Sequence, residues 1–231
     1  MIRHKTKGIV FNFIKFRETS IIARIYTDQF GLKNYIVNSV RSSKPRYPVS
    51  YFQPTTLLDM VVYNKEHAEI NRLAEIKCRY AYRSIPYNIV KSTTALFLTE
   101  MLYKTLREEE ANPELFNFFE DSLMYYDGAE RNYMNFHLQF LFKYARYQGI
   151  EPLRVSDMVH EIESNNFLVS IPQKDYKKID RLIESAYDSN LIIPNDLRRK
   201  LLSMIILFYQ VHFDHLKELK SFKVLMEVFG E

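Results

Sequence analysis

The residues of this chain that are best suited to chemistry are cations and tyrosines near its N-terminus. Residues 1–50 contain ten Lys/Arg and two Asp/Glu, a net charge of +8, whereas the whole chain carries +4. Cations neutralise phosphates and aromatic rings stack on bases, and proteins that bind single strands combine the two. We therefore predict a nucleic-acid-binding surface in this region. Its predicted members are Lys15, Arg17, Arg24, Lys33, Tyr35, Arg41, Lys44, Arg46 and Tyr47.

The densest group of these cations lies in residues 41–47. Three cations in a flexible loop can contact a nucleic-acid backbone with salt-dependent affinity that does not depend on sequence. Two alternatives remain open from the residues alone. The region could be a solvated basic face above core aromatics, and the loop itself could be a surface loop without a binding role.

The elements that must position these residues are short strands. Residues 7–13, 20–27, 32–37, 56–63 and 69–79 are rich in β-branched and aromatic residues. Gly31 supplies turn chemistry before the third strand, and the prolines of residues 38–54 exclude a central strand there. Five short strands with a long third connection predict a five-stranded OB-fold barrel.

The chain changes character near Tyr80. Residues 1–80 carry a net charge of +8 and residues 81–231 a net charge of −4, and from Ser92 the apolar spacing is helical. Helices are predicted from Ser92 to residues 108–112, from Pro113 onward, and at 132–147, 173–189 and 196–219. For the helix at 132–147, Gly149 is the predicted C-terminal cap. The fold class is therefore α+β, with an OB-fold domain at 1–80 and an all-helical domain at 81–231.

Two stretches of the helical half have features of their own. Residues 153–172 fit either a short strand or an irregular segment. Residues 201–213 are apolar nearly all round, which predicts a central buried helix and leaves a partner-binding face as the alternative.

Residue types and spacings that support catalysis are scarce. Cys78 is the only cysteine, so neither an intrachain disulfide nor a thiolate metal cluster can form. His212 and His215 could hold a metal only with a third ligand, and a structural pair is the favoured interpretation. Glu108 and the two glutamates after it indicate a solvated helix end. We predict a protein that is not an enzyme and has no cofactor.

No segment has the composition of a secretory signal or a membrane-spanning helix. The charged N-terminus and the short apolar runs predict a soluble, cytoplasmic protein that does not insert into a membrane.

The order of several short motifs resembles the family of the bacterial recombination mediator RecO. The motifs are GIV (8–10), FRETSIIARIYT (16–27), FQPTTLLDM (52–60), LAEI (73–76), LTEMLYKTLREEEANPELFNFFEDSL (98–123), FHLQFLFKYARYQGIEPL (136–153) and ELKSFKVLMEV (218–228). They cover almost the whole chain in the family's order. Many members carry two CxxC pairs after the Gly–Pro helix end, but here residues 153–172 contain no cysteine, so the insert is predicted to be zinc-free.

The resemblance implies a role in DNA repair and recombination. Family members bind single- and double-stranded DNA, anneal complementary strands, and act with RecR and often RecF to load the RecA recombinase onto strands coated by single-strand-binding protein. They also bind the acidic C-terminal tail of that coating protein on their helical domain. For this tail we predict a basic rim made by Lys143 and Arg146, for which a plain structural or solvent-facing role is the alternative. A location with the nucleoid DNA follows from this role.

Two hypotheses from other classes compete with it. One is a protein-interaction adaptor whose basic barrel binds acidic protein partners. The other is a metal-dependent enzyme that uses His212 and His215.

Overall fold

The N-terminal part of the chain folds into five β-strands. A computed structural model describes residues 2–65, 68–106, 110–214, 216 and 218–230. The strands are β1 (His4–Phe16), β2 (Ser20–Thr27), β3 (Gly31–Val37), β4 (Leu57–Tyr63) and β5 (Ile70–Cys78). They pair in the order β1-β2-β3-β5-β4 and close into a barrel, which confirms the predicted OB-fold. Strand β1 is longer than predicted because its first part, from His4 to Ile9, pairs with β4 and its later part, from Gly8 to Phe16, pairs with β2.

Alternation along the strands separates an inner from an outer face of the barrel. Ala23 of β2 lies opposite Tyr35 of β3, and both side chains are fully buried. The buried interior comprises Val10, Ile21, Ala23, Ile25, Tyr35, Val37, Val40, Phe52, Leu58, Met60, Val62 and Leu73. The turn before β3 places Gly31 at a φ of +64°, as its glycine predicts.

Helices make up most of the rest of the chain. In the described residues they are α1 (Ile89–Thr105), α2 (Pro113–Gly128), α3 (Phe136–Tyr147), α4 (Val155–Ser164), α5 (Tyr176–Glu184), α6 (Asn195–His212) and α7 (Lys220–Val228). Gly149 follows α3 at a φ of +70°, the backbone conformation that its predicted role at the helix end requires.

Residues 153–172 contain a helix that the sequence analysis did not predict. Helix α4 buries Val155, Met158 and Ile162, and residues 165–172 have no regular structure. The Asp157 carboxylate accepts the backbone N–H of Arg154 at 3.1 Å, which closes the first turn. The helix has only ten residues, so its apolar period is too short to stand out in the sequence.

The predicted helix at 196–219 is also shorter than expected. Helix α6 begins at Asn195 and ends at His212. Beyond it, the backbone N–H of Leu216 donates to the Phe213 carbonyl at 2.9 Å, which forms a turn, and Leu216 is fully buried. Within α6, residues 201–209 bury most of their apolar side chains, which confirms the predicted central buried helix.

The chain divides into two compact units, Met1–Asp127 and Gly128–Glu231. The first contains the barrel, α1 and most of α2. In it, Phe119 of α2 packs edge-on against Tyr26 on the outer face of β2, with ring centroids 5.6 Å apart. The boundary predicted near Tyr80 marks the change in composition, and as a domain boundary it stays a prediction. By packing, α1 and most of α2 belong to the same compact unit as the barrel.

A buried carboxylate strengthens the contact of α2 with the barrel. The side chain of Glu120 is only 8% exposed, and it accepts from Arg79 Nε at 2.6 Å and from Lys7 Nζ at 3.4 Å. The hydrogen bond to Glu120 raises the pKa of the Arg79 guanidinium, although burial opposes the shift. Lys7 and Arg79 are therefore cations with a structural counter-charge.

The second unit is built around α3 and α6. The hydroxyl of Tyr209 donates to the Leu141 carbonyl at 2.8 Å, and its ring stacks on Tyr144 with centroids 6.1 Å apart. In the portion of the chain that the structure describes, every helix is too short or too polar to traverse a lipid bilayer.

Candidate nucleic-acid interface

One end of the barrel gathers most of the predicted cations. The strand pairings place the end of β1, the start of β2 and the end of β3 on the same side. Lys15 lies near the end of β1, and Arg17 occupies the β1–β2 turn at a φ of +51°; both side chains are exposed. The loop that carries Arg41, Lys44 and Arg46 follows β3, so it leaves the barrel at this same end.

Hydrogen bonds hold the start of this loop against the β1–β2 turn. The backbone N–H of Arg41 donates to the Thr19 carbonyl at 2.9 Å, and the Arg41 guanidinium donates to the Arg17 carbonyl at 3.4 Å. The Ser20 hydroxyl donates to the Asn38 side-chain oxygen at 3.2 Å. Two cations that are distant in sequence are therefore fixed beside each other.

The remainder of the loop presents its charges to solvent. Lys44 and Arg46 are both exposed, and the Arg46 guanidinium lies 5.1 Å from the centroid of the Tyr47 ring. Tyr47 is partly buried and packs on the barrel core. A base could reach this ring only where the guanidinium and the core leave it open.

The structure corrects the prediction for Tyr35. Its side chain has 0% exposure in the barrel interior, and burial raises the pKa of its hydroxyl. A base cannot stack on a ring that the core surrounds, so Tyr35 is not a contact residue. Lys33 is also separated from the loop cations, because it lies near the start of β3 whereas the loop follows its end.

Arg24 lies on the outer face of β2. It stands opposite Asn12 of β1 and Asn34 of β3, and its guanidinium is 4.8 Å from the centroid of the Tyr103 ring on α1. The cation is therefore half-buried, with its position fixed by an aromatic partner.

The strand register reveals a neighbouring cation that the sequence analysis missed. Ile14, Ile22, Ile36 and Arg72 form one row across β1, β2, β3 and β5 on the outer face. Arg72 is exposed, and Ile14 is 59% exposed. The alternation of Ile22 and Arg24 in β2 signals this face, but the parallel pairing of β3 with β5 has no local sequence signal.

The charge at this end of the barrel is nearly all positive. In residues 1–58 the only acids are Glu18 and Asp28. Asp28 lies at the opposite end, where its carboxylate accepts from the Thr6 hydroxyl at 2.6 Å and from the Lys7 N–H at 2.9 Å. Among the described residues, no carboxylate forms an ion pair with the turn and loop cations Lys15, Arg17, Arg41, Lys44 and Arg46, which we call the basic end.

Comparison with known proteins connects both parts of the chain to one family. The family model described as Recombination protein O N terminal matches residues 1–82, and the model described as Recombination protein O C terminal matches residues 86–221. This chain belongs to the RecO family. Its membership confirms the resemblance that the order of motifs indicates.

Curated relatives agree over nearly the full length of the chain. DNA repair protein RecO of Flavobacterium psychrophilum is 33% identical over 98% of this chain and 99% of the relative. The proteins of the same description from Flavobacterium johnsoniae and Phocaeicola vulgatus are 32% and 31% identical, each over 98% of this chain and 99% of the relative. RecO relatives thus support a role in DNA repair for this chain.

The cations predicted to contact a RecO partner lie on α3 of the second unit. Lys143 is half-buried with its ammonium 5.6 Å from the centroid of the Tyr187 ring, and burial lowers its pKa while Glu151 opposes that shift. Arg146, one turn further on, is exposed. Of these two cations, Arg146 is exposed to a ligand in solvent, whereas Lys143 is partly covered.

The histidine pair considered for a metal is only partly described. His212 Nε2 lies 3.0 Å from Glu161 Oε1, whereas His215 lies outside the described residues, as do Glu108 and Glu109. Within the described ranges, no three His, Cys, Asp or Glu side chains are grouped so that they could hold a metal ion.

Proposed function

We propose that this RecO-family protein is a DNA-repair and recombination mediator that binds DNA through the basic end of its barrel. The observation that carries this proposal is the pair of hydrogen bonds from Arg41 to Thr19 and Arg17, which fixes Arg41 of the loop beside Arg17 of the turn. A surface whose charge is nearly all positive, with its cations free of ion pairs to carboxylates in the described residues, suits a polyanion.

The proposed activity is the annealing of complementary single strands and the loading of recombinase onto strands coated by single-strand-binding protein. Annealing breaks no covalent bond, so it needs residues that neutralise phosphates and leave base edges accessible. The exposed guanidinium and ammonium groups of the basic end meet the first need. We therefore propose a non-enzymatic protein that works in the cytoplasm at the nucleoid.

Salt dependence tests this proposal directly. Five cations that contact phosphates predict a slope of roughly −3.5 for the logarithm of the binding constant against the logarithm of salt concentration. The affinity for a labelled single strand should therefore fall about 10²-fold between about 50 and 200 mM salt. Fluorescence anisotropy with a single strand and a matched duplex measures both the slope and the strand preference.

The competing hypothesis is an adaptor whose basic barrel binds acidic protein. It predicts tight binding of a poly-glutamate peptide and weak binding of oligonucleotides of the same charge. An affinity for the peptide equal to or above that for the single strand would overturn the DNA-binding proposal.

We propose three protein partners: RecR, RecF acting together with RecR, and the C-terminal tail of single-strand-binding protein. The tail combines carboxylates with apolar residues, so it needs cations beside an apolar surface. Lys143 and Arg146 of α3 are the predicted rim. The second unit also has a groove of about 400 Å³, lined by apolar Leu168, Met204 and Met226 and by Arg199, which provides a second location to compare.

Peptide binding to alanine variants distinguishes these two locations. Replacing Lys143 and Arg146 together should weaken binding of a tail peptide about tenfold, because two charge-assisted contacts are lost, and should leave single-strand binding unchanged. The matched variant Arg199→Ala should bind the peptide normally. The opposite pattern would place the peptide in the second groove, and it would reject the predicted rim.

A further inference from the structure

The first unit also contains an uncharged groove, next to the start of β4 and the end of β5. Leu58 at the start of β4 pairs with Cys78 at the end of β5, and the parallel pairing of β3 with β5 makes these two strands run in the same direction. Beside this pair, members of residues 50–56 and 78–86, together with Ser92, Ala95 and Leu96 of α1, line a groove of about 490 Å³, and neither Arg79 nor Arg83 is among them. This volume is in the range of pockets that hold small organic groups, about 300–1,000 Å³. The basic loop leads directly into one wall, because Arg46 precedes Tyr51 by only five residues.

The walls of the groove are aromatic and aliphatic. Tyr51, Tyr80 and Tyr82 contribute rings, and Leu96 of α1, which is 46% exposed, contributes the opposite wall. The Tyr82 hydroxyl donates to the Thr55 carbonyl at 2.8 Å, and the Tyr80 and Tyr82 rings meet edge to face with centroids 5.4 Å apart. These contacts hold the rings in place before any ligand arrives, so binding orders few side chains.

The polar groups of the groove are neutral. Among the described residues that line it there is no Lys, Arg, Asp or Glu, and the polar side chains are the Gln53 amide, several hydroxyls and the Cys78 thiol. Gln53 carries an exposed amide that can both donate to and accept from a base edge. A carboxylate of an acidic peptide would have no counter-charge inside this groove, whereas a neutral flat ring would lose no charge hydration.

The charges near the groove indicate which neutral flat rings it could bind. Lys44 and Arg46 are exposed in the loop that leads into its wall, and the basic end has Glu18 as its only nearby acid in residues 1–58. A flat uncharged group that is joined to phosphates complements an uncharged aromatic groove beside unpaired cations. Nucleobases of an unpaired strand have this combination, whereas bases in a duplex remain stacked and cannot enter.

We propose that this groove binds an unstacked nucleobase of a single strand whose phosphates lie on Lys44 and Arg46. The inference rests on the proposed function, because it names the part of the DNA that the basic end holds. Base insertion gives the protein a preference for single strands that phosphate contacts alone do not provide. It also keeps one strand unstacked while a complementary strand pairs with the neighbouring bases.

Strands with and without bases test the proposal. A thymine single strand of about twelve nucleotides is compared with an abasic strand of the same length, which has the same phosphates and no bases. The protein should bind the thymine strand about tenfold tighter, since base–aromatic contacts contribute that much per base. This ratio should not change with salt, because the contact involves no charge.

Substitutions in the groove test whether it causes the difference in affinity between the thymine and abasic strands. Tyr51→Ala and Leu96→Ala should each reduce the tenfold ratio to about twofold while the affinity for the abasic strand stays the same. Leu96→Ala is included because Tyr51 also packs on the barrel core, and thermal unfolding checks that Tyr51→Ala remains folded. Val224→Ala is the matched control, since Val224 of α7 is 47% exposed and lies outside the groove.

Each alternative outcome has a distinct meaning. Equal binding of thymine and abasic strands by the natural sequence would overturn base insertion and leave phosphate binding intact. Failure to bind either strand would overturn the proposed function together with this inference. The groove variants could instead lose affinity for an acidic apolar peptide and keep the full tenfold ratio of thymine-strand to abasic-strand affinity. That result would show that the groove binds a peptide, and it would overturn the proposal of a nucleobase site.

Discussion

Single-strand binding falls about 10²-fold at about 0.1 M salt when Arg41, Lys44 and Arg46 are replaced together by alanine. Each phosphate contact on a single strand contributes about 0.7 to the salt slope, so three lost contacts should make the slope shallower by about 2. The three side chains are exposed and Arg41 alone has a hydrogen bond from its guanidinium, to the Arg17 carbonyl. The fold should therefore survive the replacement.

The control for this prediction removes the same charge elsewhere. Lys174 lies just before α5 and Lys177 and Lys178 lie in its first turn, in the second unit, and their triple alanine variant loses three positive charges as well. This control should change the slope by less than about 0.5, since net charge alone acts weakly through screened solvent. Equal slopes for the loop variant and the natural sequence would exclude the loop from the interface.

Arg41→Lys separates charge from position within the loop. Lysine keeps the charge but cannot reproduce the planar guanidinium that bonds the Arg17 carbonyl. We expect the salt slope to be retained and the affinity to fall about threefold, because the loop is held less firmly against the turn. Affinity as low as that of the single variant Arg41→Ala would mean that the position of the loop matters more than the charge at residue 41.

The sequence predicts the barrel well because the strand signals are local. The β-branched run at residues 20–27 coincides with β2, in which Ile21 to Ile25 alternate between buried and partly exposed side chains, and Gly31 marks the turn that follows. The basic end was also predictable, since charge accumulates in contiguous stretches of sequence. Tyr35 shows the limit of this reasoning: a tyrosine in a strand suits either face, and only the register decides that it is buried.

The parts that the sequence could not predict depend on contacts between distant residues. Arg72 of β5 lies next to Ile36 of β3 because these two strands pair in parallel. In the sequence, the long third connection and β4 separate the two residues. The uncharged groove combines Tyr51 with Leu96, and no periodicity relates them. Such sites arise from tertiary packing, so composition and spacing give no signal for them.

Asp127→Ala should lower the free energy of unfolding by about 4 kcal/mol, the largest stability effect that we expect for a single substitution. The Asp127 carboxylate is buried and accepts backbone N–H groups from Arg83, Ser84 and Ile85 at 2.8–3.1 Å. It also accepts the Tyr80 hydroxyl at 3.2 Å. Alanine would leave three backbone donors without their acceptor, each at a cost of about 1–3 kcal/mol.

This carboxylate explains why the first unit extends to the end of α2. The segment between β5 and α1 crosses from the barrel to the helices, and its backbone donors converge on Asp127. The carbonyl of the same residue accepts the buried Lys91 ammonium at 3.1 Å. One residue thus fixes the crossing segment and the start of α1 to α2, which composition could not indicate.

The acid dependence of stability provides a second measurement of this contact. Burial raises the pKa of Asp127, but the N–H groups of Arg83, Ile85 and Ser84 and the Tyr80 hydroxyl outweigh it and lower the pKa below its ordinary value. A lowered folded-state pKa means that the stabilisation is full above the unfolded pKa, about 3.9, and is lost as pH falls through the folded value. Asp127→Asn should therefore be less stable than the natural sequence at pH 7, and this difference should shrink in acid.

Urea unfolding of Asp127→Ala and Asp127→Asn, with Asp121→Asn as the matched control, measures both effects. Asp121 is an exposed carboxylate on the same helix, so its replacement should change stability by less than about 0.5 kcal/mol at any pH. Asparagine keeps one acceptor oxygen but directs an N–H₂ group at donors, which leaves at least one backbone N–H unpaired. A difference between Asp127→Asn and the natural sequence that stays constant from pH 7 into acid would contradict the lowered pKa. A loss as small as that of the control would mean that these hydrogen bonds do not hold the crossing segment in place.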